Sequence, residues 1–246
     1  MKADPEAQRR LLDLQSVDTA IAQLAHRRRT LPEYVEIEGL ATSQTALDDE
    51  RATAQAEVDD LDRDIGRLDR DVEQVRARKD RDQQRLDAGG GPARELEALM
   101  HEIETLNRRQ SELEDAELEL LEQREHAQAR LDVVRRGLAE ARQRTEDAER
   151  RRDQALGDIA KDQEFRAAGR RGLAADLPAD LVALYERVRE QTGGFGAAAL
   201  RGNRCEGCRL ELSGNELTAL RGAADDEVIR HDECRRILVR VAESSG

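Results

Sequence analysis

The spacing of apolar residues over positions 1–172 predicts long coiled-coil helices. Apolar residues recur alternately every three and four positions, which aligns them along one narrow stripe of a helix. This pattern occurs in three segments. The second segment runs from Leu40 to Val75, and the third runs from Leu96 to Ile159. Asp, Glu, Arg and Gln fill most of the positions between. In the first segment the stripe is formed by Leu14, Val17, Ile21, Leu24 and Leu31.

Proline and glycine mark where these helices end. Pro32 fits the first turn of a new helix but not the interior of an old one. Glycines at positions 89–91, followed by Pro92, end the second helix and begin the third. A phosphate-binding loop is not indicated, because no strand precedes this run and no Lys-Ser/Thr pair follows it. The Gly-Arg-Arg-Gly sequence at 169–172 is expected to end the third helix.

The predicted fold class is mainly α: a long kinked antiparallel coiled-coil hairpin followed by a small C-terminal zinc ribbon. If the chain reverses at Gly90, positions about equally distant from Gly90 face each other, as Leu68 would face Leu113. By the same rule the first helix pairs with residues 148–169. The predicted domains are the hairpin at 1–172 with its tip near 88–92, a connecting helix at 173–195, and the zinc ribbon at 196–246.

Two short motifs in the last domain predict a metal site. Cys205 and Cys208 form a CxxC motif, and His231 and Cys234 form an HxxC motif. A gap of two residues lets one tight turn present two ligands, and two such turns complete a tetrahedral Zn²⁺ site. A redox CxxC would need a βαβ context, which the sequence lacks. A remnant that has lost its metal stays open as an alternative.

The rest of the ribbon is predicted to contain short strands at 196–200, 227–230 and 236–241. Ser213 and Glu216 match a capping box, so a helical turn should follow them. About 50 residues with so few apolar groups could hardly fold without the metal. We therefore expect the Zn²⁺ ion to be structural.

Composition and charge narrow the function classes. The chain has 246 residues, a formal charge of −13, 39% charged residues and 2% aromatic residues. That is too polar for one globular core of this length, and its acidic balance argues against general nucleic-acid binding. No apolar run approaches the ~18 residues of a membrane span, and no secretory signal is seen. We expect a cytoplasmic protein without membrane association.

The sequence favours a protein that is not an enzyme and has no small-molecule substrate. Four protein ligands imply a closed metal site, whereas a catalytic zinc keeps one position open. No nucleophile is flanked by a base and an orienting group. We therefore predict no catalytic residues.

Six short segments of the sequence form a combination of motifs: 11–15, 94–99, 101–103, 184–187, 205–209 and 236–239. Their combination is similar to bacterial C4-type zinc-ribbon proteins with a long coiled-coil hairpin, a family often described as predicted to bind nucleic acid. Some members are similar to adaptors or chaperones for other proteins, including an RNA polymerase sigma factor. This sequence departs from the pattern where His231 stands in place of Cys and Arg235 in place of a frequent Gly.

Two functional hypotheses follow. The first is an adaptor that binds partner proteins, with a docking surface behind the tip of the hairpin formed by Arg94, Glu95, His101 and Glu102. The second is a regulatory protein that binds RNA or DNA through the ribbon. Its nucleic-acid contacts would be made by Arg201, Arg204, Arg209, Arg235 and Arg236.

Overall fold

The computed structural model describes residues 1–241 of the chain, so the last five residues of the predicted ribbon, 242–246, lie outside it. Among the described residues, no helix is both long enough and apolar enough to cross a lipid bilayer. The helices are α1 (Pro5–Arg29), α2 (Pro32–Ala88), α3 (Ala93–Ala175), α4 (Ala179–Gln191) and α5 (Gly214–Gly222). The strands are β1 (Ala197–Arg201), β2 (Arg204–Cys205), β3 (Ile229–Arg230) and β4 (Ile237–Arg240).

The chain forms two compact units. Residues Val35–Glu149 form one, here called the hairpin unit, and residues Met1–Tyr34 together with the described residues from Arg150 onward form the other, here called the ribbon unit. These units group residues by contact, whereas the predicted boundaries at 172 and 195 separate them by type of element. Those boundaries remain a prediction. The predicted fold class is confirmed: the chain is mainly helical, with a long helical hairpin followed by a small region of strands.

In the hairpin unit, α2 and α3 pack antiparallel along their apolar seams. Val58 packs with Ala127 and Leu131 in a buried cluster. The chain reverses between Ala88 and Ala93, and Gly89 adopts a φ of 64°, a left-handed conformation that glycine tolerates without steric cost. The reversal therefore falls at the glycine run, between the end of α2 and the start of α3.

Polar side chains across the hairpin define its register. Arg78 pairs with Glu102, and both lie equally far from Gly90. Most other contacts are offset: Lys79 donates to Gln110 at 2.7 Å and Arg124 donates to Asp62 at 3.0 Å, and in each pair the residue of α3 lies several residues farther from Gly90. The predicted register, symmetric about Gly90, is therefore off by several residues. Such an offset depends on how the two seams interdigitate, which the three-four spacing of either helix alone does not specify.

Helix α3 corrects one prediction. It continues through Gly169 and Gly172 and ends at Ala175, instead of ending at the Gly-Arg-Arg-Gly sequence. A glycine costs a helix about 1 kcal/mol relative to alanine. Contacts beyond the glycines offset this cost, because Leu173 and Ala174 pack against the core of the ribbon unit.

The ribbon unit is built around a four-stranded sheet in the order β2-β1-β4-β3. The two central strands run parallel, with Ala197 opposite Ile237. Strands β2 and β3 each pair antiparallel with one of them and form the edges. The predicted strands at 196–200, 227–230 and 236–241 correspond to β1, β3 and β4, whereas the two-residue strand β2 was not predicted.

One core of the ribbon unit joins helices to this sheet, and we call it the helix-side core. Leu11 and Leu14 of α1 pack with α4 and with Ile237 and Val239 of β4. The buried residues of α4 are Leu181, Tyr185 and Val188. Helix α1 was predicted to pair with residues 148–169 of the hairpin. Its Arg27 does line a groove with Gln154 and Ala155 of α3, but its first half belongs to the core of the ribbon unit.

A buried polar network fixes α1 in the ribbon unit. The carboxylate of Asp18 is only 2% exposed, and Arg170 donates to it at 2.5 Å from Nε. Tyr185 also donates its hydroxyl to Asp18, at 2.7 Å. Burial, together with this hydrogen bond to Asp18, raises the pKa of Tyr185 well above its usual value, so the phenol stays a donor.

Removing this carboxylate should destabilise the ribbon unit. We expect Asp18→Ala to lower its free energy of unfolding by about 2–3 kcal/mol, because Arg170 and Tyr185 would lose their shared acceptor while Arg170 remains partly buried. Urea unfolding followed by the fluorescence of Tyr185, in a Tyr34→Phe background, measures this change. Asp13→Ala, at an exposed position of the same helix, should stay within about 0.5 kcal/mol. Equal stability of the two variants would contradict the proposed importance of the network.

Candidate metal centre

The four predicted ligands converge on one side of the sheet. Cys205 ends β2 and His231 directly follows β3, so the two motifs start at opposite edges of the sheet. The turns that follow these strands bring Cys208 and Cys234 against the same core. We call it the metal-side core; its buried members are Ala198, Leu200, Cys205, Leu212 and Leu238.

The distances between ligand atoms fit a tetrahedral zinc site. The sulfurs of Cys205 and Cys234 are 3.9 Å apart. Nδ1 of His231 lies 3.4 Å from the sulfur of Cys208 and 3.1 Å from that of Cys234. All four ligand atoms lie within 4.8 Å of one another. Ligands about 2.3 Å from a tetrahedral zinc would be roughly 3.5–3.8 Å apart. The arrangement is therefore compatible with a metal ion of this size.

The two metal-binding turns have the same backbone geometry. Arg209 donates its amide to the carbonyl of Cys205, and Arg235 donates its amide to the carbonyl of His231, both at 2.8 Å. The φ angles of Arg209 and Arg235 are 64° and 60°. The second turn therefore has the form of the first, even though it carries His231 and has Arg235 where the family often has Gly.

An arginine of the preceding strand donates a hydrogen bond to the end of each turn. Nε of Arg204 donates to the carbonyl of Arg209 at 3.0 Å, and Nε of Arg230 donates to the carbonyl of Arg235 at 2.9 Å. Both turns thus follow one pattern, in which an arginine precedes the first ligand and another follows the last. The sequence analysis overlooked Arg230, although the repeated pattern was visible in the sequence.

Glycine is required at one position of the first turn. A Cβ added to Gly207 would come within 2.8 Å of the Cβ of Ala198 and 2.9 Å of Cδ of Arg236. Contacts under 3.0 Å do not occur without displacement of the neighbours. Gly207 therefore lets the first turn pack closely on β1, which brings Cys205 and Cys208 over the metal-side core.

The environments of the first two cysteines differ. Burial raises the pKa of the Cys205 thiol to about 11. For Cys208, burial opposes ionisation, but the Leu210 amide and the neighbouring thiols lower its pKa overall. A bound cation would stabilise both as thiolates, since metal binding displaces the thiol protons.

His231 is buried with its second ring nitrogen facing a carboxylate. The residue is 0% exposed, and Oε1 of Glu216 lies 3.8 Å from its Nε2. Glu216 belongs to the predicted capping box of α5, which the structure confirms. The Asp232 amide lowers the pKa of Glu216, so the side chain is a carboxylate. The sequence predicted the capping box but not its proximity to the metal ligand.

The other predicted site residues fall into two groups. Arg94, Glu95 and His101 are exposed behind the tip, whereas Glu102 is partly buried and pairs with Arg78 across the hairpin. Their role in docking remains a prediction.

The arginines predicted to contact nucleic acid surround the metal-binding turns. Arg204 and Arg209 flank the first turn, Arg235 follows the second, and Arg201 pairs with Arg204 between β1 and β2. The guanidinium of Arg236 lies 5.5 Å from the centre of the Phe195 ring. Nucleic-acid contact by these residues also remains a prediction.

Loss of one ligand should affect the ribbon unit locally. In Cys208→Ser, we expect amide protection to be lost at 204–212 and 229–236, because these segments hold the ligands and the metal-side core. Protection should persist at 120–140 of α3, where the seam packs independently. Hydrogen exchange read by mass spectrometry measures both, and elemental analysis measures the loss of bound metal. Ser43→Ala, at an exposed position of the hairpin unit, serves as the control.

A general collapse of helicity in Cys208→Ser would contradict this local account. Far-ultraviolet circular dichroism provides that measurement. The expected change is small, because α5 (Gly214–Gly222) is the only described helix between the two metal-binding turns.

Comparison with known proteins matches two family models to the chain. Residues 14–193 match the family model of the CT398-like coiled-coil hairpin domain, and residues 204–238 match that of the C4-type zinc ribbon domain. An uncharacterized protein of Mycobacterium tuberculosis is 38% identical over 241 residues, which cover 98% of each chain.

Solved structures show the same fold. A protein from Mycobacterium smegmatis is 35% identical, with a TM-score of 0.81 over 98% of this chain and 100% of the other. CT398 from Chlamydia trachomatis is 16% identical, with a TM-score of 0.61 over 96% of this chain and 98% of its own, and supports the fold alone. The resemblance seen in the sequence is thus confirmed. This chain belongs to the CT398-like coiled-coil hairpin family and carries a C4-type zinc ribbon domain in which His231 occupies one cysteine position.

Proposed function

We propose that this protein is a non-enzymatic adaptor that binds partner proteins on its helical hairpin and carries a structural Zn²⁺ ion in its ribbon. The observation that supports it most is an apolar pair outside the hairpin seam. Leu118 and Leu121 lie one turn apart on α3 and are 60% and 42% exposed. A two-helix hairpin needs one seam, so apolar side chains on another face are available to a partner.

The region behind the tip adds polar groups that are also available. The side chains of Arg94 and His101 are exposed, and within residues 1–241 they make no hydrogen bond or ion pair. Arginine is a frequent anchor in protein interfaces. Glu102 forms an ion pair with Arg78 across the hairpin, so its carboxylate is less available to a partner.

The metal site supports a structural role for the ion. Cys205, Cys208, His231 and Cys234 provide four ligands, which fill a tetrahedral zinc and leave no position for water or substrate. A bound ion would cross-link the two turns. Cys205, which is fully buried, would connect this cross-link to the metal-side core.

Docking on the hairpin can be tested by substituting the two surfaces separately. We expect Arg94→Ala with His101→Ala, and separately Leu118→Ser with Leu121→Ser, to reduce capture of partner proteins about tenfold, since each removes exposed contact groups. Tagged protein at native expression, with quantitative mass spectrometry, gives the capture. Glu119→Ala, at another exposed position of α3, is the matched control.

Both double variants should keep their zinc content and unfold within about 0.5 kcal/mol of the unsubstituted protein, because the substituted side chains are exposed. If neither double variant changed capture, the hairpin would not be the docking surface.

The alternative function is nucleic-acid binding by the ribbon, and one observation favours it. Arg209 and Arg235 both adopt positive φ, where glycine would be unstrained and other residues pay about 1–2 kcal/mol. An arginine at both positions supports a role for the side chains. They are exposed beside the two metal-binding turns, where they could contact phosphates.

Glycine substitution separates this role from the fold. Arg209→Gly with Arg235→Gly should relieve backbone strain and preserve metal content, yet weaken binding to single-stranded RNA. The slope of log affinity against log salt concentration is negative, and two lost phosphate contacts should reduce its magnitude by about 1.4. Filter binding with the full chain between 50 and 200 mM salt measures this. Equal affinity and slope for the variant and the unsubstituted protein would exclude these arginines as phosphate contacts.

A further inference from the structure

The histidine at the metal centre differs from a cysteine in its number of polar atoms. A thiolate has one ligand atom, whereas an imidazole has a second nitrogen that needs its own hydrogen-bond partner when it is buried. Nδ1 of His231 faces the sulfurs of Cys208 and Cys234, so Nε2 points away from the metal position. In a neutral ring whose Nδ1 binds a metal, the proton resides on Nε2.

That second nitrogen is buried and makes no hydrogen bond. Nε2 of His231 is inaccessible to solvent and has no hydrogen-bond partner among the described residues. A buried N–H without an acceptor costs roughly 1–3 kcal/mol. The facing carboxylate oxygen, Oε1 of Glu216, is 3.8 Å away.

Glu216 is held in this position by backbone amides. Its Oε1 accepts from the Asp232 amide at 2.9 Å, and its Oε2 accepts from the Ser213 amide at 2.8 Å. The Glu216 amide in turn donates to the Ser213 hydroxyl at 3.3 Å. The amide of Asp232, the residue directly after His231, thus ties α5 to the second metal-binding turn.

We propose that Glu216 is a positioning residue of the metal centre, whose carboxylate faces Nε2 of His231 and selects the ring tautomer that leaves Nδ1 for the metal. The inference rests on the proposed Zn²⁺ site. Carboxylates that accept from the distal nitrogen of a metal-binding histidine orient the ring and raise its basicity.

The charge at the centre supports the same role. A Zn²⁺ ion with four thiolates has a net charge of −2, and replacing one thiolate by neutral imidazole leaves −1. The Glu216 carboxylate places one negative charge beside the ring, so the ion, its four ligands and this carboxylate together carry −2, the charge of a four-cysteine site. The chain thus accommodates His231 in a C4-type ribbon by pairing it with a carboxylate.

A purely structural role for Glu216 is the competing explanation, because the residue also caps α5. A double-mutant cycle separates the two. Zinc affinity of the full chain is measured by chelator competition for the unsubstituted protein, Glu216→Gln, His231→Cys, and the variant with both changes. Ser213→Ala, which removes the capping hydroxyl and keeps the carboxylate, is the control.

If Glu216 acts through Nε2, Glu216→Gln should weaken zinc binding about 10–100-fold in the histidine background and less than about threefold in the His231→Cys background. Ser213→Ala should also stay within about threefold. Long-range ¹H–¹⁵N spectra of the zinc-bound, unsubstituted protein should show Nδ1 as the ligand and the proton on Nε2.

Equal losses in both backgrounds would overturn the inference and leave Glu216 as a helix cap. No loss in the histidine background, or coordination through Nε2, would overturn it as well. Failure of the unsubstituted protein to bind zinc would instead overturn the proposed structural Zn²⁺ site, and this inference with it.

Discussion

The packing of one four-residue strand on both of its faces connects the parts of the ribbon unit. Side chains alternate across a strand, and in β4 (Ile237–Arg240) this alternation sends Ile237 and Val239 to the helix-side core and Leu238 to the metal-side core. All three are at most 2% exposed. A change in either core therefore acts on the same backbone. The N-terminal segment joins this arrangement, since Ala3 donates its amide to the carbonyl of Asp226 at 2.7 Å.

This packing on both faces of β4 bears on how much the metal contributes to the folding free energy of the ribbon. A ribbon of about 50 residues was expected to depend on the metal for nearly all of its folding energy. In the structure, its sheet also buries Ile237 and Val239 against Leu11 and Leu14 of the first helix. On the metal-side core, helical packing comes from Leu217 and Leu220 of the short helix α5, and three of the ligands belong to this core. The metal should therefore matter most on that side of the sheet.

Local patterns in the sequence were enough to predict the helices, the reversal between α2 and α3, and the cluster of three cysteines with His231. The three-four spacing indicated both hairpin seams, Pro32 and Pro92 indicated helix starts, and the two short motifs indicated residues that the fold brings together. That these residues bind zinc remains a prediction. These features depend on residues close together in the chain. Features set by contacts distant in sequence were missed. Helix α3 passes Gly172 because its end packs on a core that includes residues of α1 and β4.

The environment of His231 shows the same limit at the site itself. The capping box of Ser213 and Glu216 was recognisable, and so was the departure from four cysteines. Their connection was not, because Glu216 and His231 are brought together only by the fold. The repeated arginines around the two turns illustrate a different case. Their pattern was present in the sequence, but its meaning depended on positive φ angles at Arg209 and Arg235.

The central claim is that two turns with matching backbones present three sulfurs and one imidazole nitrogen to a single zinc ion. X-ray absorption at the zinc K-edge of the purified full chain tests it directly. The account predicts three sulfur neighbours at about 2.3 Å and one nitrogen at about 2.0–2.1 Å, with no additional water. A first shell dominated by oxygen or nitrogen, or one with an open water position, would contradict it.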